Sequence, residues 1–274
     1  MIEIRECKGF DELEACVRLQ VETWGYDASD VVPRKAFLVA QKIGGQVIGA
    51  FDTEFPGASS AGGAGKRADA EGVVGSLVAF ALSLPGVKTG EGEPEAYLHS
   101  HMLAVKESYR NRGLGARIKR EQRREALSRG IRRMEWTFDP LEIKNAFLNI
   151  HRLGAIVCSY RVNFYGLSSS RLQGGLPTDR LVAEWHLDSS RVRAILEGHP
   201  AVQEVIEERI LVPASIYEWK ASEAGRERAL AVQLENRRKF QQAFAQGLAV
   251  LGFSRDAEGN GVFELGFPIH SELD

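Results

Sequence analysis

Cysteine is scarce in this chain. It has three, Cys7, Cys16 and Cys158, with no C-x-x-C spacing, which argues against a disulfide framework and against a thiolate zinc site. That usage fits a reduced, cytoplasmic setting. An excess of one charge is missing too. Thirty-five Lys and Arg face 37 Asp and Glu, a net charge of −2, without the basic footprint of a nucleic-acid binder. No apolar run reaches the roughly 20 residues of a membrane helix, and the longest, Gly72 to Leu82, reads as a buried strand. The start, Met-Ile-Glu-Ile-Arg-Glu, lacks the basic and apolar regions of a signal peptide. No His, Cys and carboxylate cluster has metal-ligand spacing, so a metal-free chemistry is expected.

What is present suits a globular protein. With 44% hydrophobic residues in 274, the chain predicts a main domain over 1–188 and an appendage over 189–274. Strands are expected at 2–5, 36–41, 46–52, 72–82, 96–105, 133–138, 155–160 and 181–187. The pair 36–41 and 46–52 reads as a hairpin about Gly44-Gly45. Helical spacing marks 11–23 and a segment from Gly113 to about Arg129. Asp139-Pro140-Leu141-Glu142 has the signature of a helix start capped by Asp139, running to a stop at Gly154. Gly-rich stretches at 55–71 and 85–94 read as loops. In the appendage, a short helix is expected at 190–197. A long one at 222–247 carries an apolar stripe of Leu230, Leu234, Phe240, Phe244 and Leu248. A hairpin over 251–254 and 261–265 completes it.

The chemistry-bearing pattern is a strand, then Arg110-Asn111-Arg112-Gly113-Leu114-Gly115, then a helix. A helix N-terminus offers unpaired N–H groups and the positive end of the macrodipole. Glycine lets backbone approach an anion at positive φ. Together they make a pyrophosphate cradle. Arg110 and Arg112 would add charge at its rim, with Arg117, Lys119 and Arg120 placed for a further phosphate. A plain strand-to-helix turn before a solvated basic helix would have the same glycine spacing. No Gly-Lys-Ser/Thr follows, and the third glycine of a dinucleotide fingerprint is absent.

The stretch from Leu103-Ala104-Val105 through Gly115 resembles the acyl-CoA-binding motif of the GNAT superfamily of N-acyltransferases, without a gap. The order that follows, helix, strand, helix and Leu153-Gly154-Ala155, fits as well, and the resemblance covers about Met1 to Leu187. It implies an α/β (α+β) fold with a mixed, mostly antiparallel central sheet flanked by helices, here followed by a smaller α+β C-terminal lobe. It implies that backbone at Leu103, Ala104 and Val105 pairs with pantetheine. Arg110, Asn111, Arg112, Gly113, Leu114 and Gly115 would hold the pyrophosphate of acetyl-CoA or another acyl-CoA. The chain also looks like a branch with a C-terminal extension, some of whose members are associated with N-succinyl amino acids, which makes succinyl-CoA the alternative donor.

Amine acylation needs a base, because an ammonium cannot attack a thioester, and histidine titrates in the right range. His99 and His101 lie two apart on the strand before the turn, so strand alternation puts both on one face. Their pattern is similar to that of serotonin N-acetyltransferase, whose paired histidines take the proton through water. Packing inside the sheet is the competing role for both. The superfamily's usual tyrosine acid falls at Ile150, which leaves Tyr160, Tyr165, His151 or water. Arg237, on the apolar stripe of the long C-terminal helix, suits either a substrate carboxylate or an internal ion pair. The function expected is transfer of an acyl group, acetyl first, to a small-molecule amine such as an amino acid. No nucleic-acid or membrane partner is expected. The appendage reads as a homodimerisation element or a partial copy of the main domain. An inactive CoA-binding module and a purely structural interaction protein are the alternatives from other classes.

Overall fold

The computed structural model describes residues 1–54, 76–89, 93–166, 168–199 and 205–269. The loop expected at 55–71 and the first residues of the strand expected at 72–82 lie outside them. The chain runs β1 (Ile2–Glu6), α1 (Gly9–Trp24), α2 (Arg34–Lys42), β2 (Gln46–Asp52), β3 (Ser76–Lys88), β4 (Glu95–Val105), α3 (Leu114–Ser128), β5 (Arg133–Phe138) and α4 (Ile143–Ala146). It continues through β6 (Ile156–Arg161), β7 (Arg180–His186), α5 (Ser190–Glu197), β8 (Glu208–Val212), α6 (Ile216–Ala221), α7 (Glu223–Ala245), β9 (Ala249–Arg255) and β10 (Gly261–Gly266). The fold is α/β, with a mixed, mostly antiparallel sheet: β4 and β5 pair in parallel, and the other ladders described below are antiparallel. No helix of the described residues is long and apolar enough to cross a membrane.

The chain divides into two compact units. One comprises Met1–Thr23, Val31–Pro85 and Ser100–Glu125. In it β2 pairs with β1 and with β3. Helix α1 turns Leu13, Cys16, Leu19 and Gln20 inward, close to the expected spacing. The expected strand at 36–41 is instead α2. Its Phe37 and Ala40, three apart, are fully buried, and Gly44 at φ +94° lies just past the helix. The β propensity of Phe-Leu-Val is outweighed by burying a phenylalanine on a helical face, worth about 1.5–3 kcal/mol. The hairpin about Gly44-Gly45 is therefore a helix end meeting a strand. Gly45 is required there, since a Cβ would lie 2.3 Å from the Ser83 carbonyl oxygen.

The other unit comprises Trp24–Asp30, Gly86–His99 and Ala126–Asp274. Here the strand order is β4-β5-β7-β6-β9-β10-β8. Strand β3 runs on through Pro85 and Gly86 to Lys88, where a loop was expected. Gly86 lies under the Tyr97 ring, 2.5 Å from where its Cβ would be, so it marks close packing and not a turn. The helix expected at Asp139 starts at Ile143 and continues as π-helix over Phe147–Arg152. Asp139 accepts from the Leu141 N–H and, with Glu142, holds the Lys220 ammonium at 2.8 and 2.9 Å. Its carboxylate thus closes a turn and not a helix. The stop at Gly154 has φ +77°.

The C-terminal elements belong to the same unit. Val157 of β6 pairs with Val250 of β9, and one core joins Leu153, Val157, Leu181 and Trp185 to Phe240, Val250, Phe253 and Phe263. The inward stripe of α7 is Ala229, Gln233, Asn236, Phe240 and Ala243. Leu234, expected there, is 46% exposed. Two polar residues stand there, and the side-chain amides of Gln233 and Asn236 donate to the Pro177 and Leu211 carbonyls, which offsets part of the cost of burying them. Strand β8 and helix α6 had no recognised signal.

Candidate functional site

The first unit contains the glycine turn. A single 3-10 turn, Glu107–Tyr109, follows β4. Asn111 and Gly113 then take φ +60° and +72°, and α3 begins. The first helical bond is from Arg117 N–H to the Gly113 carbonyl. The N–H groups of Leu114, Gly115 and Ala116 precede it at the open, positive end of the helix. A Cβ at Gly113 would meet nothing within 4 Å. Glycine there answers to φ and to whatever approaches from outside, not to protein packing. Arg110 is tied back, its Nε donating to the Val105 carbonyl at 3.0 Å.

Beside the turn a cavity of about 160 Å³ is lined by Met1, Ile2, Asp52, Tyr109, Arg112, Leu114 and Arg117. Tyr109 Oη donates to Asp52 at 2.7 Å. That bond pulls the carboxyl pKa down and pushes the phenol up. Arg112 lies over the Tyr109 ring. Arg117 reaches the Ile2 carbonyl. Lys119, grouped in the sequence with the phosphate-facing cations, turns the other way. It is 2% exposed and donates to Ser100 Oγ at 2.7 Å, within a buried chain of Ser100, Gln122, Ser83 and Gln46. Burial draws its pKa well below that of an ordinary lysine. One residue separates it from Arg117, and the helical turn of about 100° per residue changes its face.

Strand β4 carries both histidines. Leu98, Ser100, Met102 and Ala104 are buried, while His99, His101, Leu103 and Val105 alternate on the more open side, as period two requires. His101 is exposed by surface, yet neighbours crowd its ring enough that loss of hydration lowers its pKa. The ladder of β4 with β5 comprises Tyr97↔Arg133, Leu98↔Met134 and His99↔Glu135. Leu103, Ala104 and Val105 are not part of it.

In the second unit, His99 aligns with Glu135, and Glu135 with Glu184 of β7, a row of titratable groups across three strands that sequence reasoning missed. Lys88 pairs with Glu135, and Arg133 reaches Glu184 at 3.2 Å and Glu95 at 3.1 Å. Burial raises the Glu184 pKa. Only the strand register brings these residues together, and a single sequence does not display register.

The remaining candidates are also placed. Ile150 is core at 1% exposure. His151 is exposed and stacks on Phe147. Tyr160 donates to Asp179 at 2.5 Å, and burial pushes its phenol far up, so its proton is held by that carboxylate. Tyr165 is exposed, its hydroxyl 3.0 Å from Thr137 Oγ1. Cys158, outside those candidates, has its thiol pushed up to about 12 by burial, as in a core position. Arg237 takes the internal ion pair. Its Nε and Nη2 hold the fully buried Asp179 carboxylate at 2.8 and 3.0 Å, so a substrate carboxylate would have to displace it.

Residues 33–148 match the Acetyltransferase (GNAT) family. No curated protein sequence matches the chain. Among solved structures it is similar to Arabidopsis thaliana NAA60 in complex with acetyl-CoA, at 15% identity and TM-score 0.51 over 68% of this chain and 98% of that one. The same protein with a bisubstrate analogue gives 14% and 0.50, over the same shares. The ribosomal-protein-S18-alanine N-acetyltransferase from Escherichia coli gives 14% and 0.46, over 69% and 96%. At these identities the two NAA60 structures speak for the fold alone. The chain thus carries a match to the Acetyltransferase (GNAT) family over its residues 33–148.

Proposed function

We infer that the protein transfers an acetyl group from acetyl-CoA to the amine of a small molecule by direct attack. The observation that carries this is the turn itself: positive φ at Asn111 and Gly113 opening onto the N-terminus of α3, flanked by Arg110 and Arg112. That is a shape for a pyrophosphate, and it sits in the part of the chain that matches the family. The NAA60 structure bound to acetyl-CoA supports the choice of donor. Backbone at Leu103, Ala104 and Val105 would pair with pantetheine, and N–H groups there would polarise the thioester carbonyl. His99 and His101 take the ammonium proton, directly or through water. The lowered pKa of His101 keeps it neutral, and so able to accept a proton, near pH 7. The thiolate of CoA is a good leaving group and needs no dedicated acid, which suits Ile150 at the usual tyrosine position.

The direct test is thiol release from acetyl-CoA, and from succinyl-CoA as the alternative donor, across a panel of amines and amino acids. Turnover that falls about 100-fold in the His99→Ala, His101→Ala double variant is the expected result, the scale of a lost general base. Unchanged turnover would remove both histidines from the mechanism.

A further inference from the structure

Asp179 occupies Arg237, but the adjacent Arg180 is differently placed. Its Nη1 donates to the Asp179 carbonyl at 2.7 Å and its Nη2 to Gln173 Oε1 at 3.2 Å. Both acceptors are neutral. The neighbouring Asp179 carboxylate is consumed by Arg237, the Tyr160 hydroxyl and the Asn163 N–H. Asp30, from the 24–30 segment of the same unit, has its carboxylate bonded by the Ser169 N–H and hydroxyl at 2.9 and 2.6 Å. Among the described residues no carboxylate lies within ion-pair distance of Arg180. The result is a half-buried guanidinium, fixed in orientation by neutral acceptors, with no carboxylate partner among the described residues. Such an arrangement favours an incoming anion, because the cost of ordering the arginine is already met.

Its surroundings fit an organic anion. The guanidinium carbon lies 5.3 Å from the centroid of Tyr165. Tyr165 bonds Thr137 and makes an edge contact with Phe164. Tyr26, from the same unit, stacks on Trp24. Alternation along β7 buries Leu181, Ala183 and Trp185 and puts Arg180 on the same face as Glu184, hence on the face of Glu135 and His99 through the register.

We propose that Arg180, set against the Tyr165 ring, anchors a carboxylate carried by the amine acceptor, which makes the acceptor an amino acid or a closely similar amino-carboxylate. The proposal rests on the acetyl-transfer reading, and the test separates the two. Phenylalanine, leucine and glutamate, each against its α-amide, are titrated calorimetrically into wild-type protein and Arg180→Gln, with and without CoA. Wild type is expected to bind at least one acid about tenfold or more tighter than its amide, and Arg180→Gln to lose that preference, on the scale of a charge-assisted pair. CoA affinity and melting temperature stay unchanged in the variant.

Equal binding of acid and amide by wild type, or a preference retained in Arg180→Gln, overturns the proposal. So does failure of every acid to bind. If Arg180→Gln lowers affinity for succinyl-CoA but not acetyl-CoA and leaves the acids alone, the anchored carboxylate belongs to the donor, and the acceptor assignment is wrong. If CoA itself does not bind wild type, the acyl-transfer reading has failed, and the acid–amide comparison without CoA still decides the arginine's role. The wild-type comparison stands even if the variant does not fold.

Discussion

His101 and Lys119 are both bases whose surroundings disfavour the proton, and each sets a pH dependence of its own. For His101 the native pKa lies below the ordinary 6.5. The kcat/KM of wild type should rise with pH along a limb centred below 6.5 and then level off, and His101→Ala should remove that limb. For Lys119 the native pKa lies well below 10.5, so between the native value and 10.5 the unfolded chain binds the extra proton. Stability should therefore rise with pH through that window. Replacing the lysine by methionine should flatten the rise in urea-melt stability and leave the protein as stable or more so near pH 7, as removal of buried charge often does. Asp179 is the opposite case, a carboxylate with no exposed surface that relies on its partners. Arg237→Ala is expected to cost about 3 kcal/mol, read as a fall in melting temperature. A loss near zero would mean that water or Tyr160 and Asn163 suffice.

Among the elements, the long C-terminal helix shows how a cap is used. Ser222 stands extended before α7, and its hydroxyl accepts from the Gly225 N–H at 3.1 Å. Ser222→Ala should cost about 1 kcal/mol by thermal melt without altering CoA affinity. This helix was legible in outline from its length and spacing, but its inward face was not. Gln233 and Asn236 look polar, and only the carbonyls of Pro177 and Leu211 make them core residues. Helix α2 was misread for a related reason: Phe37-Leu38-Val39 suits a strand until burial of Phe37 with Ala40 decides otherwise. Strands β1, β4, β5, β6 and β7 fell within a residue of where they were expected, and β4 and most of β7 show the period-two burial of a half-covered strand. At the candidate site, the turn and the two histidines could be read locally. The Glu135–Glu184 row and Arg180 could not, since they depend on which strands become neighbours.

At the scale of the molecule, the C-terminal elements share a core with the middle of the chain. Phe240, Val250, Phe253 and Phe263 pack with Leu153, Val157 and Trp185. A chain ending at residue 188 would expose that surface and is expected to be insoluble or unfolded by circular dichroism. A cooperative melt from such a fragment would show that the appendage is dispensable for folding.

The central claim is that the turn from Arg110 to Gly115 holds acyl-CoA. Calorimetric titration of acetyl-CoA into wild type and Gly113→Val tests it most directly. A valine at φ +72° should cost about 1–2 kcal/mol of stability, visible in the melt, but its Cβ would meet no protein atom within 4 Å. The folded variant should therefore lose affinity because its side chain stands where the pyrophosphate would lie. Binding by wild type that weakens about 100-fold or more in the variant is the result expected. No binding by wild type, or equal binding by the two, would contradict the account.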